Sequence, residues 1–246
     1  MLALATPAHA AGVYYVALGD SYSSGVGAGN YTSESGSCDR SYNAYPALWA
    51  AAHAPAYYRS VACSGAKTSD VINSQVSALS SSTTLVSITI GGNDAGFSNI
   101  MTTCALYGDP DCIDAVNQAE AWAQANLGPL LDQTYNAIRA HAPYAKVVVL
   151  DYPVFYQLNT FCVGLSDADH QKIDEGINLI DGITQQAVSR HSGFVFADVR
   201  NIFVGHQLCS GDKWLHALNW LDISESYHPT ADGQKYGYLP VFSNYA

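Results

Sequence analysis

The sequence predicts an α/β fold, with one parallel five-stranded sheet covered by helices on both faces. Three observations carry that expectation. Short apolar runs rich in branched and aromatic residues alternate with longer stretches of helical periodicity. Hydrophobic residues make up 48% of the 246, enough for one sizeable core. Small polar or glycine clusters follow three of the apolar runs, where open α/β sheets gather their chemistry.

Taken in order, the first strand is the Val/Tyr-rich run from Val13, which ends in Gly19-Asp20-Ser21-Tyr22. A Gly/Ser-rich loop spans Ser23 to about Ser41; its glycines at 25, 27 and 29 lack the spacing of a dinucleotide fingerprint. Pro46 opens a helix that Ala54-Pro55 ends. Tyr57 to Val61 is the second strand and runs into Ala62-Cys63-Ser64-Gly65. Thr68 or Ser69 caps a helix carrying Ile72, Val76 and Leu79 on one face. Leu85 to Ile90 is the third strand, ending in Gly91-Gly92-Asn93-Asp94.

A loop bearing Cys104 and Cys112 leads to a helix with Ile113, Val116, Ala119, Ala123 and Leu127 on one stripe. Gly128-Pro129 is expected to kink or break it, with a second helical piece to about His141. Lys146 to Leu150 is the fourth strand. Ser166 caps a long helix whose stripe is Ile173, Ile177, Ile180, Thr184 and Val188. Phe194 to Ala197 is the fifth strand, and a long loop from Asp198 to Tyr227 precedes His228-Pro229-Thr230 and a last helix from near Ala231. With no internal repeat, low-complexity tract or linker, residues 11–246 read as one domain.

The net charge of -11 excludes a phosphate-neutralising nucleic-acid surface and electrostatic docking on anionic membranes. No run is long enough to span a bilayer. Met1 to Ala10 ends in the A-x-A pattern Ala8-His9-Ala10, so 1–10 is read as the remnant of a secretory signal and the mature, secreted chain is expected to begin at Ala11. The six cysteines form an even set without CxxC, which fits disulfides in an oxidising compartment better than zinc. Asp109, Asp111 and Asp114 suggest calcium, but acidic residues at a helix start complement its dipole, and that explanation is preferred. No metal or other cofactor is expected.

Ser21, Gly65 and Asn93 stand at the ends of strands 1, 2 and 3. In a flavodoxin-like sheet of order 2-1-3-4-5, Ser21 sits between the other two. Acyl transfer needs a hydroxyl nucleophile beside amide donors that face a developing oxyanion. The backbone N–H groups of Ser21 and Gly65 and the side-chain amide of Asn93 supply three. A serine also needs a base. His228, just before the last helix, is the candidate, with His216 as its rival.

Gly19-Asp-Ser-Tyr22, Gly65, Gly91-Gly-Asn-Asp94 and Glu225-Ser-Tyr-His-Pro229 together resemble the four signature blocks of the SGNH (GDSL-type) hydrolase superfamily. The likeness runs from about Val13 to the last helix and is nearest to secreted bacterial lipases and phospholipases A with three disulfides. It implies Ser21 as nucleophile, His228 as general base and acid, and Ser21, Gly65 and Asn93 as oxyanion hole. It also implies the pairs Cys38–Cys63, Cys104–Cys112 and Cys162–Cys209, all expected in loops at the catalytic edge. Where the superfamily has Asp three residues before the histidine, this chain has Glu225. Either that carboxylate or the backbone carbonyl of Ser226 then orients the imidazole.

Rival patterns fit less well. Ser64-Gly-Ala-Lys67 matches SxxK, without the SDN and KTG elements that should accompany it, and GxSxG is absent around Ser21. Tyr22, Phe97, Tyr152, Phe155, Tyr156, Trp214 and Trp220 suit an acyl groove. They suit equally a carbohydrate acetyl esterase or a non-catalytic carbohydrate-binding module. The preferred reading is a monomeric ester hydrolase acting on lipid or other small-molecule esters, with no nucleic-acid partner and no stable membrane insertion.

Overall fold

The structure is a computed structural model that describes residues 12–218 and 225–246. The proposed signal remnant 1–10, the start at Ala11 and Trp220 lie outside the described residues. Five strands, β1 (Tyr14–Ala17), β2 (Tyr57–Ser60), β3 (Leu85–Ile88), β4 (Lys146–Leu150) and β5 (Phe194–Ala197), form one sheet in the order 2-1-3-4-5. Every pairing is parallel. The expected fold class is therefore observed.

Seven helices flank the sheet among the described residues: α1 (Ser21–Ser24), α2 (Tyr45–His53), α3 (Thr68–Asn73), α4 (Phe97–Tyr107), α5 (Asp111–His141), α6 (Asp167–Ser189) and α7 (Leu239–Ser243). A wide helical turn, Gly233–Tyr238, leads into α7. The period-two pattern of the strands divides the core. Tyr15 and Ala17 of β1, with Val148 and Leu150 of β4, join one cluster with Trp49 of α2 and Phe242 of α7. Val16, Leu18, Val147 and Val149 join the other, with Val71 of α3 and Leu127, Leu131 and Ile138 of α5. Buried on both faces, these strands read as near-continuous apolar runs.

Four local expectations need correction. The helix predicted to kink or break at Gly128-Pro129 runs unbroken from Asp111 to His141. Pro129 is exposed, and the carbonyl that loses its partner belongs to exposed Ala125, where water can serve it. Leu127 and Leu131, both fully buried, hold the helix on either side. The presumed loop around Cys104 is helix α4, and Cys112 lies in the first turn of α5. That disulfide therefore joins two helices inside the core rather than two loops at its edge.

The third correction concerns α3, whose cap position is Lys67. Thr68 instead sends its N–H (3.0 Å) and its hydroxyl to the Asp94 carboxylate. Fourth, Trp214, expected at an acyl groove, spends its ring on the protein itself, stacking on His206 and packing edge-on to Phe203. Ser166 does cap α6, accepting the N–H of Asp169. Asp111 and Asp114 lie in the first turn of α5 as dipole partners, while Asp109 accepts the Ser166 hydroxyl.

Candidate active site

β1 ends at a glycine turn. Gly19 has φ +119°, and a Cβ there would collide with the Thr89 backbone carbonyl oxygen, so only glycine lets the chain turn this close to β3. Gln75 clamps the turn from both sides: it accepts the Gly19 N–H at 2.7 Å and donates to the Gly19 carbonyl at 2.8 Å. Asp20 then caps α1 by accepting the Tyr22 N–H. Its carboxylate also accepts hydroxyls from Thr89 (2.6 Å) and Tyr152. Burial pushes Asp20 up to about 6 against the pull of those hydroxyls. Ser21 is thus the first residue of a helix anchored under the sheet edge.

The candidate base arrives from the other end of the chain. His228 Nε2 lies 2.7 Å from Ser21 Oγ, and Nδ1 lies 3.1 Å from the Ser226 carbonyl oxygen. A carbonyl can only accept, so Nδ1 carries the proton and Nε2 is left to accept from the serine hydroxyl. Glu225 turns elsewhere: Oε1 accepts the Tyr31 hydroxyl at 2.8 Å. That hydroxyl in turn accepts the Gly27 N–H. Burial and the bond to Glu225 push Tyr31 up to about 12, so it stays a donor.

The segment carrying His228 is tethered at several points. Tyr227 holds φ +66°, an unfavourable region for an aromatic residue. Its carbonyl accepts the Tyr22 hydroxyl at 2.7 Å. His216, the rival base, is support instead. Its backbone pairs with Tyr227 and His228, and Nε2 lies 2.7 Å from the Gly27 carbonyl oxygen.

Gly65 has φ +76°, and the space a Cβ would enter is open. It faces a cavity of about 230 Å³ that it shares with Ser21, Asn93 and His228. The two loops beside Ser21 brace each other, since Asn93 Nδ2 donates to the Ala66 carbonyl at 3.0 Å and Asp94 holds Thr68. The structure thus gathers Ser21, Gly65, Asn93 and His228, and it closes the pairs Cys38–Cys63, Cys104–Cys112 and Cys162–Cys209. Sequence reasoning missed the parts played by Asp20, Gln75 and Asp94, and it placed Tyr152 in a groove without its bond to Asp20. Asp20 and Asp94 gave a signal, a carboxylate beside a glycine turn, but the partners in this network lie up to 132 positions away.

The chain resembles known proteins along nearly its whole length. Residues 17–236 match the GDSL-like Lipase/Acylhydrolase family. The chain is 54% identical to Lipase 1 of Streptomyces coelicolor over 242 residues, covering 98% of this chain and 89% of that protein. It is similar to the crystal structure of phospholipase A1 from Streptomyces albidoflavus NA297, with TM-score 0.94 and 53% identity over 96% of this chain and 100% of that one. It is also similar to an extracellular lipase from Streptomyces rimosus, with TM-score 0.93 and 52% identity over 95% and 100% of the two chains.

Proposed function

The chain belongs to the GDSL-like lipase/acylhydrolase family and is a carboxylic ester hydrolase; we propose that it cleaves lipid esters through an acyl-enzyme on Ser21, with His228 as base. The observation that carries the assignment is the 2.7 Å contact between Ser21 Oγ and His228 Nε2 inside a cavity that also presents Gly65 and Asn93. Ser21 Oγ attacks the ester carbonyl as Nε2 takes its proton. The Ser226 carbonyl steadies the imidazolium through Nδ1–H, the part an acid plays in other triads. The oxyanion is met by the N–H groups of Ser21 and Gly65 and by the Asn93 amide. His228 then protonates the departing alcohol, and water, deprotonated by the same ring, releases the acid.

Lipid as the substrate class is supported by the names of the relatives, lipase and phospholipase A1. Secretion, with residues 1–10 as signal remnant, is supported by the three disulfides and by the extracellular lipase among the relatives. No helix among the described residues is long and apolar enough to cross a membrane. Ser21→Ala should lower kcat on an aryl ester by about 10⁴-fold or more while leaving the melting midpoint in place. Retained turnover in that variant would refute the assignment.

A further inference from the structure

The loop after α1 and the edge strand β2 enclose a cavity of about 170 Å³. It shares no lining residue with the cavity over Ser21. Its chemistry is lopsided. Among the described residues Arg40 is its one charged group and no carboxylate lines it, in a chain whose net charge is -11. Arg40 is half-buried, and its guanidinium makes no ion pair among the described residues. Its one side-chain bond within the protein runs from Nη1 to the Ala62 carbonyl at 3.3 Å, which leaves most of the guanidinium fork unused.

Hydroxyls stand around that fork. Thr32 and Tyr42 come from the loop, and their hydroxyls bond to no protein group among the described residues. Tyr58 and Ser60 come from β2, with their hydroxyls side by side. Burial pushes the Tyr58 phenol up, so it keeps its proton and can donate. The arginine is also fixed in advance. Its carbonyl accepts the Thr32 N–H at 2.8 Å, and the next N–H, that of Ser41, goes to the Ser24 carbonyl at 2.8 Å. Two residues before it, Cys38 is bonded to Cys63, just past β2. A ligand arriving here therefore pays little to order the backbone that holds it.

We propose that this cavity binds a small tetrahedral oxyanion of the phosphate class, held by the Arg40 fork between the loop and β2. The planar fork pairs with two oxygens of such an ion. The remaining oxygens face the hydroxyls of the two walls, which a flat carboxylate spent on the fork would not reach. The ion can be free phosphate or the end of a phosphate monoester. Bound there, it bridges the loop that carries Gly27 and Tyr31 to the sheet edge, so it acts on stability and leaves the chemical step alone. The site is independent of Ser21 and does not depend on the role of that residue.

The test follows the melting midpoint of the intact protein against inorganic phosphate, with ionic strength held by sodium chloride and acetate as the control. At about tenfold excess over half-saturation, phosphate should raise the midpoint by about 4 °C, and acetate should not. Phosphate also stabilises proteins in general by exclusion from their surface, so the reading is the saturable difference between the wild type and Arg40→Gln. Arg40→Gln should lose it. Arg40→Lys keeps the charge without the fork and should raise half-saturation by about tenfold. If Arg40→Gln does not fold, Thr32→Val combined with Ser60→Ala decides, and it should raise half-saturation by about fivefold or more. Glycerol 3-phosphate tells the sources apart: tighter binding than phosphate marks a monoester as the ligand, weaker binding the free ion. A variant that responds like the wild type, an equal response to acetate, or phosphate competing with a short aryl ester at Ser21 overturns the proposal.

Discussion

The proposed nucleophile and its proposed base are held in two different ways. Ser21 stands on a buried nest of polar groups at the sheet edge, where Asp20, Thr89, Ser23 and Tyr152 bond to one another and Gln75 locks the strand end. His228 hangs on a few long crossings: Tyr22 to Tyr227, His216 to Gly27 and Tyr31 to Glu225, each spanning at least 189 positions. Buried polar networks punish any missing member, because the partners left behind stay desolvated. Of the tethers, Tyr31–Glu225 is exposed and His216–Gly27 partly so, where water can take over, and the buried Tyr22–Tyr227 bond is a single link rather than a network. Damage to the nest should therefore appear as lost stability and lost rate together, and damage to the tethers mainly as lost rate.

The largest break in that contrast is Asp20→Ala. It strands the Thr89 and Tyr152 hydroxyls and uncaps α1, which should cost about 3 kcal/mol at pH 4. A displaced nucleophile should lower kcat by roughly 100-fold. The cost should depend on pH in a direction set by the raised carboxyl. Its ordinary value of 3.8 moves up to about 6 in the fold, so the folded state holds a proton the unfolded chain has released. Native Asp20 therefore loses stability as pH climbs through that window, and the substitution escapes this loss. Denaturant titrations should find the penalty about 2 kcal/mol smaller at pH 8 than at pH 4. A penalty that grows with pH would show the carboxylate to be stabilised by its hydroxyls rather than strained by burial.

The same contrast decides what could be read from the sequence. The strands, their order and the three strand-end blocks were legible because apolar runs and glycine turns are local signals, as at Gly19 and Gly65. The nest was not, because nothing near Asp20 announces Tyr152 or Thr89. Nor was the full length of helix α4. With Gly96 before it and glycine after it, α4 lacked an N-cap signal, and its buried Cys104 passed for a loop residue. The orienting group of His228 stayed open between Glu225 and Ser226, since both sit within reach along the chain and only coordinates show where each oxygen points.

Tyr22→Phe sharpens the comparison from the tether side. The lost bond takes a donor from the buried Tyr227 carbonyl and should cost about 1–2 kcal/mol of stability, less than the loss from the nest. Tyr227 is held at a positive φ that an aromatic residue leaves readily, and the imidazole follows it on the chain. The Tyr22 ring also lies against His228, with centroids 5.1 Å apart, and phenylalanine keeps that contact. Steady-state kinetics on a short ester should show kcat down about tenfold with KM nearly unchanged, because a misplaced base affects the transition state and not binding. Equal falls in kcat and stability would place Tyr22 in the nest instead.

The smallest effect should come from Glu225→Gln. Here the two ways of orienting the imidazole make opposite forecasts. If the Glu225 carboxylate faced the ring, its conversion to an amide would disturb the tautomer and cost several powers of ten, about 10⁴-fold where this has been seen in a triad. In this fold Glu225 Oε1 takes the Tyr31 hydroxyl, and the carbonyl two residues before His228 receives Nδ1–H. A glutamine keeps an oxygen for Tyr31, so the tether survives and kcat should stay within about twofold. The tautomer of the base is then fixed by a bond as local as any in the nest, and only the position of the ring depends on the long crossings. A loss of 100-fold or more would reverse that division and return the acid to the triad.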